Sequence, residues 1–340
     1  MAAVREEWLQ LTHEAPIDAS LPICDPHHHL WDRPGHRYFL DEFLRDARSG
    51  HNVVSTVFVE CSAMYRKGGA EEMRPVGETE FAQGMAAQSA SGQYGETAVA
   101  AGIVGFADLT LGSAVARVIE SHLAASPNRF RGIRHQCTWD ASPAVMTRMP
   151  SPPPGLMLDH RFRAGFACLQ KYGLSYEAWQ YYPQLPELAA LARAFPETAI
   201  ILNHTGGLLA LGPYAGKRDE VFRAWSRNMA DVAACPNVFV KLGGLGMLRC
   251  GFEWHTRPAP PTSAELAEAT APYFRFCIER FGANRCMFES NFPVDKISSG
   301  YCVLWNSFKR VIHDYSPTER AAVLHDTAAR VYLLTPTDAG

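Results

Sequence analysis

The sequence predicts an α/β fold, a (β/α)8 TIM barrel, and two observations carry that prediction. Eight short apolar runs, rich in β-branched residues, recur along the 340-residue chain, with amphipathic stretches between them. The runs are almost continuously hydrophobic, as strands of a parallel sheet covered on both faces must be. Strand and helix alternating over this length fit one barrel better than two smaller domains. A doubly wound sheet is the competing architecture. No glycine-rich dinucleotide fingerprint follows the first run, which counts against its commonest use.

Taken in order, residues 1–20 read as an arm outside the barrel, and residues 21–335 as a single domain. The first two runs are "LPICDPHHH" (21–29) and "NVVSTVFVEC" (52–61), the second followed by a long connection, 63–78. "TAVAAGIVGF" (97–106) and "RFRGIRH" (129–135) come next, then the proline-rich "MPSPPPG" (149–155). "KYGLSYEAW" (171–179), "TAIILNH" (198–204) and "NVFVKLGG" (237–244) follow, then a second proline-rich stretch, "HTRPAPPTS" (255–263). "RCMFESN" (285–291) is the eighth. Helical periodicity marks 79–90, 112–124, 185–194, 218–233 and 264–281. The connections 63–78, 149–157 and 250–263 all follow strands, where barrel loops form the mouth of an active site, so they are expected to set specificity.

Composition excludes several classes of function. The net charge of −3 implies no field for nucleic acid or an anionic membrane. No apolar run reaches the length of a membrane-spanning helix. The start "MAAVREEWLQLTHEAP" carries acids and no apolar signal core, and the nine cysteines contain no C-x-x-C pair. Both point to a cytoplasmic protein with reduced thiols. A homodimer is the default assembly.

The chemistry lies at strand ends. Side chains alternate along a strand, so Asp25, His27 and His29 are expected on one face and Pro26 and His28 on the other. If His27 and His29 point inward, two imidazoles converge as metal ligands; otherwise they are hydrogen-bonded polar residues at a strand end. Other strands end on ionisable or polar groups too: Glu60, Arg134 and His135, His204, and Glu289, Asn291 and Asp295. Lys241 sits inside the apolar "VFVKL" and needs a partner. Polar groups gathered at that end of a barrel read as catalytic.

"DPHHHLWD", "LNHTGG", "VKLGG" and "FESNFPVD", in that order, resemble the amidohydrolase superfamily. More narrowly they resemble the amidohydrolase-related group that includes sugar-lactone and pyrone-dicarboxylate lactonases. The resemblance covers about residues 21–335. It implies that His27 and His29 are the first-strand metal pair, His204 the sixth-strand histidine and Lys241 the basic residue often seen on the seventh strand. Asn291 stands where the family's "GSDWP" motif has an aspartate that ligates metal and takes a proton from water. An amide oxygen can still ligate but cannot take that proton.

The leading expectation is a metal-dependent hydrolase of a small carboxylate-bearing lactone, ester or amide. One or two divalent ions (Zn, Mn or Fe) would be held there, with Glu60 or Asp295 replacing the missing base. Lys241 and an arginine would orient the substrate, and Arg134, His135 and Trp179 are candidate substrate contacts. The alternative is a non-haem iron monooxygenase on the same fold, with His27, His29, Glu60, His204 and Asn291 as ligands. A catalytically silent partner subunit is the third.

Overall fold

The computed structural model describes residues 4–145 and 151–334, so part of the first proline-rich segment and the last residue of the expected domain lie outside the described residues. Its centre is an eight-stranded parallel sheet in sequential order. The strands are β1 (Pro22–His28), β2 (Asn52–Val59), β3 (Ala98–Gly105), β4 (Phe130–Ile133), β5 (Ser175–Ala178), β6 (Ile200–Leu202), β7 (Val238–Leu242) and β8 (Cys286–Phe288). A helix follows each strand: α1 (Leu40–Ala47), α2 (Val76–Ser89), α3 (Ala116–Ala125), α4 (His160–Lys171), α5 (Leu185–Ala194), α6 (Arg218–Ala233), α7 (Ser263–Phe281) and α8 (Tyr301–Val311). This is the (β/α)8 barrel. Local chemistry sets the helix starts: Asp159 caps α4 through the amides of Arg161 and Phe162, and Thr262 with Glu265 forms a capping box on α7.

The ring closes where β1 and β8 leave the sheet. His28 bridges Phe292 in parallel, Asn291 N donates to His27 O at 2.9 Å, and His29 N donates to Phe292 O at 2.8 Å. Closure therefore joins the histidine run to the asparagine segment. One expectation fails within β1. Its register with β2 shifts between Asp25 and His28, so strict alternation breaks at Pro26. Cys24 packs into the barrel interior, and Asp25 leaves the histidine face to accept from Ser290 and from Tyr301 of α8. His27 and His29 still share a face. His28 takes the other, stacked on Phe43 of α1 with ring centroids 4.2 Å apart.

At the amino-terminal end of the barrel the helical segment 317–331 packs against β1 and β8. Residues 4–21 run along the outside as an arm. Trp8 Nε1 donates to Arg257 O at 2.9 Å, and Glu14 receives Ser263 N at 2.7 Å. All nine cysteines are free thiols, and no helix among the described residues is long and apolar enough to cross a membrane.

Candidate active site

His27, His204 and Glu289 meet at the floor of the barrel mouth, with ligand atoms that all lie within 4.8 Å of one another. His204 Nδ1 and its own backbone N–H both reach Glu289 Oε1, at 2.7 and 3.0 Å. Glu289 Oε2 lies 2.7 Å from His27 Nδ1 without the alignment of a hydrogen bond. The carboxylate thus faces both rings and completes a three-residue group of candidate ligands with them. His29 stands edge-on to His27 at 4.9 Å and donates from Nδ1 to Val59 O at 2.7 Å, which leaves Nε2 as its acceptor. Burial keeps all three imidazoles well below their usual range; the nearby Lys241 (for His27) and Arg134 (for His29 and His204) add to it. They are neutral, as ligation requires.

The backbone is bent to make this possible. His204 and Asn291 sit in the left-handed region, at φ 53° and 54°, which non-glycine residues adopt uncommonly. The glycines of "KLGG" leave the needed room. A Cβ on Gly243 would lie 2.4 Å from Glu289 Cγ, and one on Gly244 2.5 Å from His204 Cβ.

Two charged networks flank the floor. Arg134 donates from Nε to Glu60 Oε1 at 2.8 Å and approaches His27 Nε2 at 3.2 Å, while Gln136 also donates to Glu60 Oε1 at 3.0 Å. Glu60 Oε2 is buried with no hydrogen-bond partner. On the other side Lys241 Nζ lies 2.9 Å from Glu177 Oε2 and 3.4 Å from His27 Nδ1. Asn291 donates from Nδ2 to Asp295 Oδ1 at 2.7 Å, so its own Oδ1 is left buried and unpartnered. Asp295 Oδ2 accepts from Gly246 N at 2.9 Å, and burial raises this carboxyl to about 8. Burial likewise raises Glu289 to about 8, against the pull of Lys241.

Above the floor opens a cleft of about 540 Å3, lined in part by His29, His204, Asn291, Arg134 and Trp179. Trp179 meets His204 edge-to-face at 4.6 Å. Two further arginines line the cleft, each ordered by aromatic rings. Arg33 lies 3.9 Å over Trp31; Arg249 lies 5.2 Å from Trp179 and donates to Tyr181 Oη at 3.1 Å. No aspartate or glutamate is among the described residues that line it.

Set against the sequence expectations, the structure brings His27, His29, His204, Asn291, Lys241, Glu60, Arg134 and Trp179 to one place. Asp295 stands behind Asn291 and lines a separate small chamber. His135, just beyond the end of β4, turns the other way from its neighbour Arg134. Its Nδ1 accepts from Leu109 N at 3.1 Å, and its ring packs among Phe106 and Phe162. The long connections were expected to shape the pocket, yet none of the lining residues comes from 63–78 or 250–263. Shorter stretches do so instead: 31–33 beyond β1, 61–62, 247–249 and 294–297. Sequence reasoning missed Glu177 as the partner of Lys241, left Glu289 out of the expected ligand set, and overlooked Arg33 and Arg249. Glu177 did leave a signal. A lone carboxylate in the apolar "SYEA" strand and a lone lysine in "VFVKL" must find each other inside one barrel.

Residues 24–334 match the amidohydrolase family. The uncharacterized protein y4mH of Sinorhizobium fredii is 33% identical over 338 residues, spanning 92% of this chain and 99% of that one. An L-fucono-1,5-lactonase of Burkholderia ambifaria is 27% identical over 293 residues, 82% of each chain. In three dimensions the barrel is similar to an amidohydrolase from Burkholderia multivorans determined with bound zinc. The TM-score is 0.69 at 23% identity, with 92% of this chain and 99% of that one covered. Motif order, barrel and matched length agree, and the chain belongs to the amidohydrolase family, in the group related to lactonases.

Proposed function

We propose that this protein is a divalent-metal-dependent hydrolase that opens a small lactone bearing an anionic group. The observation that carries the proposal is the buried His27, His204 and Glu289 set at the floor of a cleft walled by Arg33, Arg134 and Arg249. The donor set fits such an ion: two neutral imidazoles, a carboxylate, and Asn291 Oδ1 as a buried oxygen without a partner. Zinc, manganese and iron all suit these donors, and the related amidohydrolase carries zinc. A bound divalent cation would polarise the ester carbonyl and lower the pKa of water.

The chain's own residues supply the rest. Arg33 and Arg249 in the cleft wall, beside an Arg134 already paired with Glu60, favour an anionic substrate, which the first two can grip by paired hydrogen bonds. Asn291 cannot accept a proton, and both oxygens of Asp295 are engaged by Asn291 and Gly246. Glu289 Oε1 is engaged by His204, and its Oε2 faces His27 Nδ1 at 2.7 Å within the candidate ligand set. Glu60 Oε2 is therefore the group that takes the proton from the attacking water. An oxygenase would need Glu60 among its ligands. The Arg134 guanidinium stands between Glu60 and His27, where its charge opposes a second cation.

The test is a metal analysis joined to a substrate panel. Protein grown with zinc, manganese or iron is assayed by proton release on L-fucono-1,5-lactone, related aldonolactones, and lactones carrying a carboxylate. Chelator-sensitive turnover that favours the carboxylate-bearing lactones is expected. Full activity after metal removal would sink the metal requirement. Absence of turnover on every lactone, ester and amide, with reductant-dependent oxygen uptake instead, would sink the hydrolase.

A further inference from the structure

Tyr332 comes from the segment that closes the amino-terminal end of the barrel, far in sequence from every residue of the site. It is fully buried, packed with Cys24, Val57, Val104, Ile201 and Met287 from the barrel strands. Arg131 at the start of β4 ties its carbonyl down at 2.6 Å. Its hydroxyl does not stay in that apolar layer. It donates to Glu177 Oε1, while Asn203 and Lys241 donate to Oε2, the latter at 2.9 Å. Lys241 Nζ then lies 5.3 Å from the centre of the Tyr332 ring and 3.4 Å from His27 Nδ1.

We infer that Tyr332 is a positioning residue of the site: its hydroxyl fixes Glu177, and through Glu177 and Lys241 it sets the orientation of His27. A phenyl ring alone would fill the barrel floor equally well, since its neighbours there are aliphatic or sulfur-bearing. What the hydroxyl adds is a donor for the one Glu177 oxygen that neither Lys241 nor Asn203 reaches. Without it that oxygen is a buried acceptor left unmet, and the ion pair beneath His27 can re-form in a second geometry. Outer partners of ligating histidines typically change activity or metal affinity by about 10- to 100-fold.

The inference takes from the proposed hydrolase only that His27 stands at the reacting centre, and its test separates the two. Tyr332→Phe keeps the packing and removes the hydroxyl. The expected result is a melting temperature lowered by only a few degrees, a kcat lower by about tenfold, and a KM changed less than twofold. The ring-nitrogen signals of His27, read by long-range proton–nitrogen NMR on histidine-labelled protein, should shift. In a Glu177→Gln/Lys241→Met background, which removes both charges together and leaves neither unpaired, Tyr332→Phe should add no further loss. Unmoved His27 signals in Tyr332→Phe, or a loss that multiplies with that of the double variant, overturns the inference. The NMR measurement decides the matter even if no lactone is hydrolysed, an outcome that would count against the proposed function alone.

Discussion

Lysine is pressed against histidine in two parts of this molecule. Inside the barrel Lys241 Nζ lies 3.4 Å from His27 Nδ1; beneath the N-terminal arm Lys309 Nζ lies 2.9 Å from His51 Nδ1. The outer pair is complete. Lys309 also donates to Ile17 O and Asp18 O, both at 2.9 Å, and His51 Nε2 donates to Cys302 O at 3.3 Å. The inner pair is surrounded by acceptors left unmatched: Glu60 Oε2, Glu289 Oε2, Asn291 Oδ1 and Asn203 Oδ1. Each such atom costs about 1–3 kcal/mol when buried without a partner. A fold keeps several together where something else satisfies them, and the difference fits the proposed reading of the inner cluster as a reaction site and of the outer one as a latch.

The strongest way to break that contrast is His204→Ala. Activity on the lactone found in the substrate panel should fall about a thousandfold, the ~4 kcal/mol a polarising ion contributes, and bound metal measured by elemental analysis should be lost. Retained turnover with retained metal would remove His204 from the site. Glu60→Gln should cost about 10²-fold or more in kcat as loss of the proton acceptor, with metal content unchanged. Wild-type kcat in that variant would pass the role of base to Glu289.

Much of this was legible in the sequence, for identifiable reasons. The eight strands showed because a parallel sheet buried on both faces leaves apolar runs. His27 and His29 showed because period two selects them, but the shift at Pro26 that removes Asp25 from their face has no local signature beyond the proline. Helix α8 was not marked by periodicity. The arm covers its outer side, so nearly every residue from Tyr301 to Val311 is buried and no polar stripe remains. Arg33 and Arg249 were invisible for another reason: they act from short loops, ordered by Trp31 and Trp179, and that stacking exists only in three dimensions.

The latch should answer to different tests. Lys309→Met strands two carbonyls and the His51 Nδ1 acceptor, so stability to denaturant should fall by about 1–3 kcal/mol while kcat stays within twofold. A kcat loss larger than the stability loss explains would join the two clusters.

The last effect is one of pH, and it is absent at neutral pH. With Nε2–H given to Cys302 O, a second proton on His51 would have to enter at Nδ1, facing the Lys309 ammonium. Burial first, and then Lys309, bring this imidazole down to about 4, against about 6.5 in an unfolded chain. Cys302 and Asn306 also face the ring, and the Glu14 carboxylate lies beyond Asn306. Between those two values the unfolded chain binds a proton that the folded one does not. Stability from this residue is therefore whole above pH 6.5 and is lost on acidification toward pH 4, by at most roughly 1.4 kcal/mol per pH unit. His51→Gln should flatten that part of the stability curve and leave the pH dependence of kcat where it was. If the variant instead moves the kcat profile and spares the stability slope, His51 serves the site and the contrast between latch and reaction centre fails.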